Sequence, residues 1–300
     1  MVWRREGTDV GVIAVYSIKG GVGKTTIAFD LAWRSATYGG HRTLLWDLDL
    51  QGGAAFLLGE RHPQAPWATS AFRPGGLLRQ QIRPTRFERL SLLPADQSLR
   101  LLPNLLSQLR QRQRLTVMAE LLSGEFTRIV LDCPPALNEI SDQIIAAADL
   151  IVVPLSPSPL AMRAFDTVRD ELQHNHVRPP PLVPVLSMVD MRRKLHREAL
   201  LTVAADWPAV PFASSIEQMA DRRAPIDSFA ADSKGARALA LLHSRVEERL
   251  AALPPRPVAP PLPAPGIGRP HQPQPAPRRA SQAPQRRSRM RSFVDWLLRE

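Results

Sequence analysis

Gly20-Gly21-Val22-Gly23-Lys24-Thr25-Thr26 sets side by side the groups that a phosphate ester needs. Glycines let successive backbone N–H groups turn inward around phosphate oxygens, and a helix that follows adds the positive end of its dipole. In such a loop Lys24 reaches the β- and γ-phosphates of a nucleoside triphosphate, and the Thr25 hydroxyl is offered to Mg²⁺. The common pattern, G-x-x-x-x-G-K-[ST], places its first glycine where this chain has Ile18. A second lysine, Lys19, stands just ahead of the glycines instead. Further on, Asp47 and Asp49 close one apolar run and Asp132 closes another. A carboxylate at a strand end, about 25 residues beyond the loop lysine, can align a water for in-line attack on a γ-phosphate.

Groups of this kind must meet at one rigid edge. Apolar runs ending in glycine or acidic turns alternate with helix-like stretches through the first 250 residues. That alternation predicts an α/β fold with a doubly wound, mostly parallel sheet, helices covering both faces. The runs predict strands at Val12–Ser17, Thr43–Asp47, Leu90–Pro94, Arg128–Asp132, Leu150–Pro154 and Val183–Met188. Between them the spacing predicts a helix over Thr25–Tyr38, stopped by Gly39-Gly40. It predicts one or two more within Gln97–Ser123, interrupted at Pro103, and a closing helix over Ser233–Leu253.

Composition bounds the rest. With 300 residues and 44% hydrophobic content the chain can bury a full core. No apolar run approaches the roughly 20 residues that span a bilayer, and the N-terminus lacks the apolar stretch of a signal peptide, so a cytoplasmic protein is expected. Cys133, the single cysteine, cannot form an internal disulfide and reads as a small buried hydrophobe. Of the net charge of +11, the last fifty residues carry +7, from nine arginines against Asp295 and Glu300. The same stretch holds twelve of the 30 prolines. It has too little apolar side chain to offset ordering entropy, which predicts a disordered Pro/Arg-rich tail. The expected division is an N-terminal arm (1–9), a nucleotide-binding domain (10–253), a disordered linker (254–288) and a short amphipathic helix (289–300).

Lys19-Gly20-Gly21-Val22-Gly23-Lys24-Thr25-Thr26 resembles the deviant Walker A motif of the ParA/MinD family of P-loop ATPases, whose signature is the early lysine. In that family the lysine crosses a dimer interface to the nucleotide of the other subunit, which implies that role for Lys19. The nucleotide-binding set is then Lys19, Gly20, Gly21, Val22, Gly23, Lys24, Thr25 and Thr26. The segment 43–55 is similar to the family's switch I, usually D-x-D-P-Q-G, with Leu50 at the usual proline. By position in that motif Asp49 is catalytic beside Lys19 and Lys24, and Asp47 supports the magnesium shell or the switch geometry. The segment 126–137 resembles the Walker B strand, so Thr25, Asp47 and Asp132 form the metal set, with Pro134 and Pro135 leading into switch II. The resemblance runs in order from about residue 10 to about residue 250.

It implies ATP and Mg²⁺ as ligands, a homodimer in the ATP state, and slow hydrolysis to ADP and phosphate stimulated by a partner protein or cargo adaptor. Relatives of the ParA type bind DNA nonspecifically and position plasmids, chromosomes or protein complexes on the nucleoid. By that likeness Arg192, Arg193, Lys194 and Arg197, with Arg222 and Arg223, are candidate DNA contacts. A basic cluster doubled by dimerisation gives salt-sensitive, sequence-independent binding, although a solvated helix face reads similarly. The alternative is a MinD-like spatial regulator held on membrane through the C-terminal helix. On such a helix Met290, Phe293, Val294, Trp296, Leu297 and Leu298 share a face, and the same segment also suits docking to a protein. A third class, an ATP-driven small-molecule enzyme, lacks support from metal-cluster cysteines or an appended catalytic domain.

Overall fold

Successive residues of the first long strand face opposite ways, and both directions are apolar. In the computed structural model, which describes residues 4–5, 10–61, 67, 71–72, 78–109, 113–135, 139–175, 179–202 and 207–256, Val12 and Ala14 join one buried cluster while Ile13 and Val15 join a second. A strand buried on both faces belongs inside a sheet with helices on each side.

The strands are β1 (Arg4–Arg5), β2 (Gly11–Val15), β3 (Thr43–Asp47), β4 (Arg83–Pro84), β5 (Leu90–Leu93), β6 (Arg128–Asp132), β7 (Leu150–Leu155), β8 (Leu182–Val189), β9 (Ala209–Pro211) and β10 (Pro255–Arg256). The helices are α1 (Lys24–Thr37), α2 (Gly53–Leu58), α3 (Leu102–Leu109), α4 (Arg114–Leu122), α5 (Glu139–Ala147), α6 (Pro159–Asn175), α7 (Lys194–Thr202), α8 (Ser214–Arg222), α9 (Asp227–Ala230) and α10 (Lys234–Ala251). Among the described residues the main sheet runs β4-β5-β3-β6-β2-β7-β8-β9, and only β4 is antiparallel to its neighbour. The doubly wound, mostly parallel α/β fold expected from the alternating runs is what forms. Residues of α1, α2 and α10 pack in the cluster with Ile13, and residues of α3 to α6 in the cluster with Val12.

Two consequences of register matter for the site. Strand β6 inserts between β2 and β3, so Val15, Asp132 and Asp47 lie in one row across the sheet. Strand β7 flanks β2 on its other side. The loops after β2, β3 and β6 therefore leave from one edge, where ligands of open parallel sheets bind.

The sequence reading needs correction in places. Pro103 does not interrupt a helix, because it is the second residue of α3, in a first turn whose N–H groups have no intrahelical acceptor. Ahead of it lies a 3₁₀ turn, Gln97–Leu101, capped by the Asp96 carboxylate accepting from Ser98 N at 2.6 Å. The short strands β4 and β9 and the short helix α2 were not anticipated. Beyond the expected domain end, Pro255–Arg256 pairs in parallel with Arg4–Arg5. The expected linker from residue 257 onward and the helix over 289–300 lie outside the described residues.

Candidate active site

Gly23 stands between β2 and α1 with φ 82°, the left-handed region that a side chain disfavours. A Cβ there would also lie 3.3 Å from Ser187 Oγ, so the end of β8 closes on the loop from the far side. Helix α1 begins at the next residue, and its first hydrogen bond is Ile27 N to Gly23 O at 3.0 Å. The N–H groups ahead of that bond have no helical acceptor and point where an anion would sit.

The two lysines are placed differently. Lys24 is 6% exposed, and its Nζ donates to the carbonyl of Lys19 at 3.2 Å. Lys19 itself is exposed at the rim, together with Gly20 and Gly21. Beside them, the ends of β2 and β7 and the start of α6 line a mostly apolar cavity that includes Tyr16, Ile18, Val22, Leu155 and Phe165.

Three carboxylates converge from the neighbouring strands. Asp47 and Asp132, register partners at the ends of β3 and β6, are both buried. Asp47 Oδ1 accepts Asp49 N at 3.0 Å, and its Oδ2 accepts Ala54 N at 3.1 Å. The Asp47 carboxylate thus holds both ends of the segment 48–54. Neither oxygen of Asp132 has a hydrogen-bond partner among the described residues. Burial pushes Asp132 up to about 7, while the adjacent Thr25 hydroxyl and Lys24 ammonium pull it down and the charge of Asp49 adds to the rise. Burial, and then the charge of Asp132, raise Asp47 well above the usual carboxylate range. Asp49 is half-buried; its Oδ1 accepts Gln51 N at 3.0 Å and its carbonyl accepts Gly52 N at 3.0 Å.

A buried carboxylate met only by the neighbouring Thr25 hydroxyl and Lys24 ammonium is costly unless a further cation joins it. Asp132 with the Thr25 hydroxyl offers the all-oxygen donors that Mg²⁺ takes, and phosphate and water would supply the remaining ligands. Asp47 is less free for that purpose, since backbone amides occupy both its oxygens. Gly53, the first residue of α2, brings switch I against this point: a Cβ on it would lie 2.9 Å from Thr25 Cγ2. Gly53 was not among the sequence-derived residues, although the Gly52-Gly53 pair was its signal. Ser187 left no signal of its own.

The basic residues fall in two places. Arg192 and Arg193 lie between β8 and α7, and Lys194 and Arg197 lie in α7, with all four exposed. Arg222 and Arg223 close α8, where Arg222 lies 4.8 Å from the Phe229 ring and Arg223 4.9 Å from that of Phe56 in α2. Arg223 therefore also packs on the helix that follows switch I, and its carbonyl accepts from Arg86.

Comparison with known proteins places the chain among relatives of one kind. A family profile described as "AAA domain" matches residues 10–177. The chain is 34% identical over 146 residues to the chromosome partitioning protein ParA of Myxococcus xanthus, covering 48% of this chain and 51% of that protein. It is 32% identical over 218 residues to the chromosome partitioning protein ParA of Caulobacter vibrioides, covering 65% of this chain and 76% of that one. The chain thus spans about half the length of the first and three quarters of the second. Among solved structures, one described as cobyrinic acid a,c-diamide synthase from Mycobacterium smegmatis, with bound ATP analog and magnesium, superposes with a TM-score of 0.67 at 26% identity. That likeness covers 81% of this chain and 96% of the other.

Proposed function

This chain belongs to the ParA/MinD family of P-loop ATPases, and we propose that it is a slow Mg²⁺-dependent ATPase of the ParA type. It forms an ATP-sandwich dimer, binds DNA without sequence preference, positions a cargo, and lets go on hydrolysis to ADP and phosphate. A partner protein stimulates that step. No helix of the described residues is long and apolar enough to cross a membrane.

The observation that carries this reading is the division between the two lysines. Lys24 is enclosed by its own loop and bonded to the Lys19 carbonyl, whereas Lys19 is at the rim with its side chain exposed. An inner charge serves the nucleotide of its own subunit, and a rim charge is available to a second subunit's nucleotide, which makes ATP part of the interface.

The remaining residues divide the work. The Lys24 ammonium exchanges the Lys19 carbonyl for a phosphate oxygen. Thr25 Oγ1 and the Asp132 carboxylate would hold Mg²⁺, which when bound supplies charge neutralisation at the β- and γ-phosphates. Asp49 orients the attacking water and accepts its proton. Asp47 keeps that carboxylate in place through the amides of Asp49 and Ala54. The exposed basic segment 192–197 carries the cations that supply the salt-sensitive attraction to DNA phosphates.

Binding of the full-length protein to random-sequence duplex DNA and to anionic liposomes, each with ATP and with ADP, tests the proposal. Salt-sensitive DNA binding with ATP and not with ADP is the expected result. ATP-dependent liposome binding with no DNA binding would replace it by a membrane-held regulator.

A further inference from the structure

The basic segment after β8 contains its own internal support. Asp190 N donates to His196 Nδ1 at 2.9 Å, which ties the first residue beyond the strand to the first turn of α7. The Asp190 carboxylate accepts Arg192 Nε and Nη2, both at 2.9 Å, and Arg192 N at 3.0 Å. Arg197 Nη1 reaches back to the carbonyls of Met191 at 2.9 Å and Arg192 at 3.0 Å. The loop is therefore closed from both ends by its own side chains.

This leaves the four cations unequal. Arg192 has a bidentate carboxylate, so moving it to a phosphate would strip Asp190 of its partner beside a polyanion. Arg197 is committed to two backbone carbonyls. Arg193 has no side-chain partner among the described residues, and Lys194 makes only an exposed contact of 3.6 Å with Glu198. The segment is also hung from the nucleotide loop. Ser187 and Met188 stand against Gly23, Met188 holds φ 59°, and Val189 O accepts Phe212 N at 3.0 Å.

We infer that Asp190, His196 and Arg197 form a latch that holds the segment 190–197 in its polyanion-binding shape, with Arg193 and Lys194 as the cations that meet phosphate. Arg192 and Arg197 are positioning residues. The inference rests on the reading that this chain binds duplex DNA, and it says how that surface is built. A loop ordered before contact loses less conformational freedom on binding.

The test follows binding of full-length, ATP-loaded protein to a labelled random-sequence duplex as KCl is raised. Arg193→Gln and Lys194→Gln should each flatten the slope of log affinity against log salt by about 1.8, because each removes one phosphate contact from both subunits of the dimer. Arg192→Gln should leave that slope unchanged, and a flattening equal to that of Arg193→Gln would overturn the division. His196→Leu should weaken binding about tenfold at fixed salt with ATP turnover intact. His196→Asn, whose amide oxygen takes the place of Nδ1, should restore it. Wild-type affinity in His196→Leu, or an equal loss in both variants, would overturn the latch. If His196→Leu does not fold, the slopes of the exposed arginine variants decide.

Wild-type protein that ignores DNA would sink the proposed function and, with it, the assigned phosphate contacts. Amide exchange at Asp190 without DNA separates the two cases, because it should quicken in His196→Leu. Unchanged exchange there would sink the latch alone.

Discussion

Asp47 and Asp132 are direct neighbours across β3 and β6, yet their carboxylates are in opposite states. Both Asp47 oxygens accept backbone N–H groups, and neither Asp132 oxygen has a hydrogen-bond partner among the described residues. One carboxylate is tied to the backbone of residues 49–54, and the other accepts from no backbone amide. Their substitution should separate these roles. Asp132→Asn should weaken Mg²⁺-dependent nucleotide binding at least about tenfold while leaving the fold intact, because an amide is a poor Mg²⁺ ligand. Asp47→Asn would turn an NH₂ toward one of two N–H donors, and should instead loosen residues 48–54 to amide exchange.

The lysines should fail differently. Lys24→Ala should abolish nucleotide binding measured by calorimetry. Lys19→Ala should keep binding measurable but lose the ATP-dependent dimer in light scattering. An unchanged dimer fraction would remove Lys19 from the interface.

Loss of Asp49 should stop hydrolysis without emptying the site. Asp49→Ala is expected to lower turnover by about 100-fold or more, the usual share of a positioned base. The ATP-bound dimer should then accumulate. Normal turnover in this variant would move the catalytic role to another group.

Gly53→Ala probes the contact between switch I and Thr25. The added methyl would come within 2.9 Å of Thr25 Cγ2, so the helix or the threonine must shift. The Mg²⁺ concentration needed for half-maximal hydrolysis should rise several-fold, while nucleotide affinity in EDTA stays near that of wild type. A variant indistinguishable from wild type in Mg²⁺ titration would show that α2 can move without disturbing the hydroxyl.

Acid titration should expose the buried pair on α1. Asp30 accepts Arg34 Nε at 2.8 Å, but its other oxygen has no partner and burial pushes it up to about 6 despite the arginine. A carboxyl raised on folding binds its proton more tightly in the folded chain, so its contribution is present at low pH and is lost as pH rises from about 4 through about 6. The rise to about 6 corresponds to roughly 3 kcal/mol at most. Asp30→Asn should flatten this part of the stability profile in urea unfolding, with Arg34 still held by Asp227 at 2.6 and 3.1 Å.

Much of this arrangement was legible in the chain. Runs such as Thr43–Asp47 and Arg128–Asp132 are apolar at every interior position and end in acid, and buried parallel strands with functional ends have that form. The loop and Lys24 were readable because phosphate binding demands glycines and a following helix in a set order, whereas the role of Lys19 came from the family resemblance. Tertiary relationships left weaker marks. Helix α2 is six residues long, too short to show a helical period. Strand β9 has three residues, and its place at the sheet edge comes from pairing with β8. That Arg192 is taken by Asp190 and that Arg223 lies on Phe56 are matters of side-chain geometry, for which a basic run carries no signal.

The insertion of β6 between β2 and β3 also orders events during synthesis. Chains emerge from the N-terminus, and a domain folds as a unit once its parts are made. When the ribosome has released the glycine loop and Asp49, the strand that must lie between them has not been made. The nascent chain holds two halves of a phosphate site with a one-strand gap in the middle. Only when Asp132 emerges can the gap close, so a stalled or truncated product ending before it carries the motifs yet lacks the means to burn ATP.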